Sequence, residues 1–367
     1  MDRVVVVGAS LAGLTAADAL RVQGYEGAIT IVGGESHAPY TRPPLSKGVL
    51  TGAEPPETVR LVPPEDDIEL RIGTTAVALD RERQVVELEN GERVPYDGLV
   101  IATGGRARSL VAPDQTGEYR LRTLDDCLAL QAAFRARPNV LIVGAGFLGM
   151  EIASTCRVLG LDVTVVDREP PLQRVLGEYL GRLITEAALD AGVRIKVAAG
   201  DARLLGSPVH GVQLGDGSVE EGDIVISAVG DVPNSGWLGL RGPVVVDDRC
   251  RVAPGIVAAG DIAAVGGLRT PHWASAVDQA RVAAAALLHG DAAPALNAVP
   301  YYWTEGHGLE IKVCGPLPVH GEPVVLEGSV AERDAVLRWP EAAATINHRM
   351  PLGKLKRLAA PREVALP

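Results

Sequence analysis

Short apolar runs recur along the chain, and glycine stops each of them. Val4–Val7 runs into Gly8, Val140–Val143 into Gly144, and Leu99–Ala102 into Thr103-Gly104-Gly105. Asp223–Val229 runs into Gly230, and Ile256–Ala259 into Gly260. Runs this short, without polar alternation, mark strands buried on both faces, as in a parallel sheet covered by helices. Between them the spacing changes to a helical one over Leu14–Val22, Leu121–Ala136, Met150–Leu159 and the alanine-rich Ala274–Leu288. Val85–Leu88, Asn90-Gly91 and Val94-Pro95 read as a hairpin with a tight turn. From Tyr301-Tyr302-Trp303 onward the pattern shifts to short strands, including Leu309–Cys314 and Pro323–Gly328.

Two of the glycine stops are complete dinucleotide-binding fingerprints. Gly8-Ala9-Ser10-Leu11-Ala12-Gly13 and Gly144-Ala145-Gly146-Phe147-Leu148-Gly149 each follow an apolar strand and open a helix. Each is then followed by a second β-branched run and an acid, Ile29–Val32 with Glu35 and Val163–Val166 with Asp167. The acid follows the last glycine by about 20 residues, the spacing needed to reach a ribose hydroxyl. Glycines let the backbone approach a pyrophosphate, and the helix N-terminus supplies unpaired N–H groups and partial positive charge. Ser10 replaces the middle glycine of the first loop; it is small, and its hydroxyl can donate to a phosphate. Two complete units in one enzyme point to FAD and NAD(P)H. Asp167 favours an unphosphorylated adenosine ribose, because a carboxylate repels a 2′-phosphate. Arg168, next to it, is the one residue arguing for NADP.

Composition narrows the class. At 367 residues, with 47% hydrophobic and 22% charged residues, the chain is a globular enzyme of two or three domains. Apolar runs end well short of a membrane span. Met1-Asp2-Arg3 leads at once into the first strand and leaves no room for a signal peptide, so a cytoplasmic protein is expected. Cys127, Cys156, Cys250 and Cys314 form no local pair, which argues against a sequence-local redox disulfide and against a metal or iron–sulfur site. The net charge of −11 argues against nucleic-acid binding. One basic stretch interrupts it: Arg349, Lys354, Lys356, Arg357 and Arg362 against Glu363 alone, read either as a solvated terminal helix face or as a patch for an acidic partner.

Further pieces fall in a collinear order: Pro39-Tyr40-Thr41-Arg42-Pro43-Pro44-Leu45-Ser46-Lys47, Ala102-Thr103-Gly104-Gly105 and Gly144–Glu151. They continue through Gly230-Asp231-Val232-Pro233-Asn234, Ala259-Gly260-Asp261 and His272-Trp273 with Gln279-Ala280. In these residues the chain resembles the FAD-dependent, NADH-linked ferredoxin reductases (rubredoxin and putidaredoxin types) of the two-dinucleotide-binding flavoprotein superfold. The resemblance implies an α/β fold of two Rossmann-like domains, with an FAD domain of 1–108 and 231–297 and an NAD domain of 109–230 inserted into it. A small, shortened α+β interface domain over 298–367 follows. It implies electron flow from NADH through FAD to a ferredoxin-type iron–sulfur protein feeding an oxygenase, either haem-thiolate or Rieske. Where disulfide- and peroxide-reducing relatives carry redox cysteines, this chain has prolines and Lys47, so electrons must leave the flavin for an outside acceptor.

The same resemblance implies residue roles. Lys47 lies near the flavin's hydride-accepting nitrogen and pairs with Glu151 across the two domains; as a bare helix residue Glu151 also fits an acid favoured by the dipole. Asp261, after Gly260, bonds the ribityl chain or simply caps a helix. The helix from His272, Trp273 and Ala274 points its N-terminus at the flavin's pyrimidine edge. Trp303 packs on the isoalloxazine or in ordinary core, and Arg42 meets a phosphate or the flavin edge. Ala102, Thr103, Gly104 and Gly230 complete the cofactor contacts, with no metal. Departures from the family pattern are Trp303-Thr304-Glu305-Gly306 for the usual Trp-Ser-Asp-Gln, Pro271 for an acid, and Asp231 for an uncharged residue. A strand pair is also expected to be trimmed between Val330 and Ala344. Two other classes stay open: an apoptosis-inducing-factor-like NADH-responsive flavoprotein and a cysteine-independent NADH oxidase. The oligomeric state, monomer or homodimer, is left open.

Overall fold

Each glycine-stopped apolar run is a strand of a mostly parallel sheet. The structure, a computed structural model, describes residues 1–360, so Arg362 and Glu363 lie outside the described residues. The chain folds into two compact units. One comprises Met1–Thr41, Pro56–Arg106 and Asp231–Ala298; the other comprises Arg42–Pro55, Ala107–Gly230 and the chain from Val299 onward.

In the first unit a six-stranded sheet runs Arg251–Ala253, Ile256–Ala258, Gly98–Ile101, Arg3–Val7, Ala28–Val32, Ile68–Arg71. All neighbours but the first pair are parallel. Val7 is level with both Val32 and Ile101, so three strands end together beside the Gly8 loop. The chain leaves Arg3–Val7 on one side through the Leu11–Val22 helix and lies beside Gly98–Ile101 on the other, a topological switch point where such sheets bind ligands. That helix begins at Leu11, three residues before the apolar spacing places it, because Gly13 belongs to its first turn.

The Leu11–Val22 and Trp273–His289 helices meet through small residues. Ala16 and Ala17 from one, and Ala280, Ala283 and Ala284 from the other, are fully buried in one cluster with Val4, Val6 and Leu20. Alanine brings helix backbones close and leaves no space for a larger side chain. The hairpin region forms a separate sheet of Ala76–Asp80, Val85–Leu88 and Arg93–Pro95.

In the second unit a parallel five-stranded sheet runs Arg194–Val197, Val163–Asp167, Val140–Val143, Ile224–Ser227, Glu118–Tyr119. The expected Leu121–Ala136 helix is Leu124–Phe134: the Thr123 hydroxyl accepts from the Asp126 N–H, and Asp126 reciprocates, a capping box that sets the start. Arg42–Pro55 joins this unit because its own carbonyls are taken there. Cys127 Sγ donates to the Leu45 carbonyl (3.2 Å), Gln131 Nε2 to Val49 (3.0 Å) and Thr155 Oγ1 to Ser46 (2.6 Å). Lys47 and Glu151 therefore lie in one unit.

The C-terminal part is an antiparallel sheet in the order Tyr301–Gly306, Leu309–Cys314, Ala343–Ile346, Asp334–Arg338, Val324–Ser329. Between Val330 and Ala344, where a strand pair is expected to be trimmed, one strand is present. Asp334–Arg338 is a full strand, its Ala335-Val336-Leu337 wholly buried, and short connections on either side hide it from a reading by length. The helix Leu352–Ala359 packs Leu355 and Ala359 against Cys314 and Ala343.

Ala283→Leu should overpack the alanine contact and destabilise the protein by about 1–3 kcal/mol. Chemical denaturation checks this: the unfolding midpoint drops, whereas Val22→Leu at an exposed position leaves it in place.

Candidate functional site

The two glycine loops have one geometry. Gly8 (φ +122°) and Gly144 (φ +111°) sit in the left-handed region, and a Cβ on either would strike the carbonyl of Ala102 or Ala228. A Cβ on Gly13 or Gly149 would strike the carbonyl of Gly8 or Gly144. Neighbouring strands clasp each loop: Gly8 N–H to Val32 O (2.7 Å) and Ala102 N–H to Val7 O (2.7 Å), matched by Gly144 to Val166 (2.8 Å) and Ala228 to Val143 (2.7 Å). The first helix bonds run from Leu14 to Ser10 and from Met150 to Gly146, 3.0 Å each. The N–H groups of Leu11, Ala12 and Gly13, and of Leu148 and Gly149, thus have no partner within their helices. Neither N-cap, Ser10 or Gly146, makes a side-chain cap bond, and neither first turn holds an acid. Space lies open where a Gly146 side chain would stand. An uncapped helix start approached by bare backbone suits a pyrophosphate.

The strand-end acids are already oriented. Glu35 accepts from the hydroxyl of buried Tyr40. Asp167 accepts from the Ala145 N–H and the Arg168 N–H, 2.6 Å each, so its carboxylate is fixed against the second loop, while the Arg168 side chain is exposed.

In the first unit the remaining predicted residues line the ends of the same strands. Thr103 Oγ1 donates to Asn234 O (2.9 Å), and Asn234 Nδ2 returns a bond to Thr103 O (3.0 Å). Gln279, 1% exposed, accepts the Gly260 N–H at 2.9 Å. Asp261 gives its carbonyl to Arg269 Nε (2.5 Å), and Arg269 also pairs with Asp231 through both carboxylate oxygens. The unexpected charge at Asp231 is thereby neutralised. Sequence reading missed Arg269, because nothing local links it to a residue so far back in the chain. His272 precedes the Trp273–His289 helix as its N-cap, and burial pushes its pKa down to about 4, so it is neutral at physiological pH. Trp273 is 40% exposed and donates through Nε1 to Thr41 (3.3 Å); Ala274 follows in the first turn.

In the second unit the Pro43–Ser46 turn ends at Lys47, whose Nζ lies 2.6 Å from Glu151 Oε2 and donates to Pro43 O at 3.2 Å. Glu151, 9% exposed, sits early in the Phe147–Val158 helix. It also accepts from Ser46 Oγ on Oε2 (2.6 Å) and from Thr304 Oγ1 on Oε1 (3.2 Å). Ser46 stands inside the Arg-Pro-Pro-Leu-Ser-Lys string and was readable there; Thr304 was not, being 153 positions from Glu151. Arg42 donates to Arg122 O (2.7 Å). Gly230 (φ +94°) accepts from the Arg108 N–H (3.0 Å). Trp303 stacks on Tyr301, centroids 5.6 Å apart and planes at 21°.

A model of pyridine nucleotide-disulphide oxidoreductases matches residues 2–285. The chain belongs to that family. Rhodocoxin reductase of Rhodococcus erythropolis is 34% identical over 89% of this chain and 81% of its own length. The biphenyl dioxygenase system ferredoxin–NAD(+) reductase component of Paraburkholderia xenovorans is 34% identical over 99% and 94%. Among solved structures, the covalent putidaredoxin reductase–putidaredoxin complex matches with a TM-score of 0.86 and 29% identity, over 98% of this chain and 93% of that one. Among the described residues no helix is long and apolar enough to cross a membrane, and no cluster of His, Cys, Asp or Glu could hold a metal ion.

Within this family the thiols matter, and here all four are buried. Desolvation pushes Cys127 and Cys314 up to about 11 and Cys156 and Cys250 up to about 12. A thiol is reactive as its thiolate, so these are inert at neutral pH. Ellman's reagent at pH 8 should find no fast-reacting thiol in the native protein and four after denaturation. One or more rapid native thiols would contradict this arrangement.

Proposed function

We propose that this protein is an FAD-dependent reductase that takes electrons from NADH and delivers them to a ferredoxin-type iron–sulfur protein serving an oxygenase. The observation that carries the reading is the Lys47–Glu151 bridge beside the Pro43–Ser46 turn, in a chain whose thiols are all buried. With no accessible sulfur to receive them, electrons pass to an external acceptor. The names of the relatives supply the acceptor's class.

The residues fit the two dinucleotides. The Gly8–Gly13 loop with Ser10, Leu11 and Ala12 receives the FAD pyrophosphate on an uncapped helix start, and Glu35 takes the adenosine ribose. The Ala102, Thr103, Gly104, Gly260 and Asp261 strand ends, with Arg42, complete that cofactor's contacts. The Gly144–Gly149 loop does the same for NADH, with Asp167 on its ribose and Gly230 at the neighbouring strand end. When bound, the flavin accepts two electrons from the nicotinamide and releases them singly.

The chain's own contribution is electrostatic. Lys47 has three N–H donors; Glu151 and the Pro43 carbonyl hold two, which leaves one for the cofactor. A fixed ammonium in a partly dry setting stabilises developing negative charge with no reorganisation. The Trp273–His289 helix has no acid in its first turn and no side-chain cap bond, so its N-terminus offers the flavin the positive end of a dipole. Neutral His272 adds no competing charge there. Trp303, stiffened by Tyr301, provides a flat apolar wall.

The partner docks with help from the basic C-terminal stretch. Lys354 is held by Glu327 (3.0 Å), whereas Arg349 and Arg357 are exposed. Arg349 and Arg357, with Lys356, therefore provide the long-range attraction for an acidic partner, which acts mainly on association rate.

Two measurements test these assignments. The purified protein should be yellow with one FAD per chain, and kcat/KM for NADH should exceed that for NADPH by about tenfold, or about 1.4 kcal/mol. Equal use of NADPH would shift the ribose assignment from Asp167 to Arg168. Raising salt from about 0.1 M to about 1 M shortens the Debye length from about 10 Å to about 3 Å. Ferredoxin-dependent cytochrome c reduction should then slow while ferricyanide reduction holds, and Arg349→Glu with Arg357→Glu should raise the ferredoxin KM. If both assays fall together, the stretch is structural.

A further inference from the structure

We propose that Thr304 is a positioning residue for the Lys47–Glu151 pair, so that the C-terminal sheet, and not only the helix carrying Glu151, sets where the Lys47 charge sits. The inference rests on the reading of Lys47 as the flavin-facing cation.

The geometry begins with strand alternation. In Tyr301–Gly306, Tyr302, Thr304 and Gly306 share one face, and Tyr301, Trp303 and Glu305 the other. The Thr304 face lies on the Phe147–Val158 helix. A Cβ on Gly306 would come within 3.1 Å of Ser154 Cβ, which brings the strand end close to the helix. The His307 N–H donates to Ser154 Oγ (2.8 Å), and His307 Nε2 lies 3.1 Å from the Met150 carbonyl. These contacts pin the strand along the helix and bring Thr304 Oγ1 to 3.2 Å from Glu151 Oε1.

The chemistry follows from how donors divide between the two carboxylate oxygens. Ser46 and Lys47 both address Oε2. Thr304 donates to Oε1. Two donors on one oxygen leave a carboxylate free to turn about its terminal torsion, which is broad for this side-chain type. A donor on the other oxygen stops that rotation and fixes Oε2, and with it the ammonium. Thr304 is 7% exposed, so water competes little for Oε1. Its hydroxyl bonds Glu151, and it acts on Lys47 through that carboxylate.

The test compares Thr304→Val, which keeps the shape and removes the donor, with Thr304→Ser, which keeps the donor. In stopped flow, Thr304→Val holoenzyme should be reduced by NADH about tenfold more slowly, the scale of one lost hydrogen bond to a charged group. Its flavin content and melting temperature should match the parent, and Thr304→Ser should recover to within about twofold. Placed on Glu151→Ala, Thr304→Val should cost less than about twofold more, since coupled residues are not additive. A second readout is independent of turnover: the side-chain carboxyl carbon of Glu151 in 13C-glutamate-labelled protein, identified by its loss in Glu151→Ala. That resonance should move in Thr304→Val and stay in place in Thr304→Ser. A parental rate with an unmoved resonance, or an equal loss with and without Glu151, overturns the proposal. A moved resonance with a parental rate also overturns it, because Thr304 then orients Glu151 without consequence for Lys47. If the parent itself binds no flavin or is not reduced by NADH, the functional reading fails instead, and the resonance still reports whether Thr304 holds Glu151.

Discussion

At Gly8 and again at Gly144, a strand ends with its backbone pressed so closely on a neighbouring carbonyl that not even a methyl group fits. Much of each unit follows from that contact. The turn aims the next residues into a helix whose start is held down by a second close approach, at Gly13 or Gly149. Helix and strand then share a fixed junction, and the adjacent strands end level with it. A partly positive helix start thus meets three strand ends at one place in each parallel sheet. Substitution at these glycines strikes main chain rather than a movable side chain, so no rotamer change relieves it.

Against that rigid frame, one buried carboxylate, Glu151, gathers a dense set of polar contacts. Taking Glu151 out of water is costly unless opposite charge and hydrogen bonds replace the lost hydration. Lys47, Ser46 and Thr304 do so from two segments far apart in sequence. The ion pairs on the surface differ in kind: Arg251 with Asp291, or Arg83 with Asp80, keep their solvent and contribute little. The Lys47–Glu151 charge is instead enclosed by the fold on several sides.

The parts of this arrangement legible in sequence are those in which local chain and global fold ask for the same residue. The glycine loops, the apolar strands that feed them and the acids that follow were all readable, because each is specified within a few residues. Helix boundaries shifted where a side chain overrode the apolar pattern, as Thr123 and Asp126 do. The strand Asp334–Arg338 escaped notice because its alternation is short and its connections are tight. Arg269 with Asp231 and Thr304 with Glu151 were not legible, since such partners meet only after the sheets have formed. The attachment of Arg42–Pro55 to the second unit belongs to the same class: it depends on which side chains reach its carbonyls.

The enclosed cysteines carry a consequence of another sort. A flavoprotein reductase that keeps its own sulfur sealed can be handled in air without added thiols, and its chains do not crosslink on storage. Its surface is then blank to maleimides. One cysteine introduced at an exposed position becomes a unique point of attachment, so a fluorophore, a spin label or an electrode surface can be joined to the protein at a chosen residue.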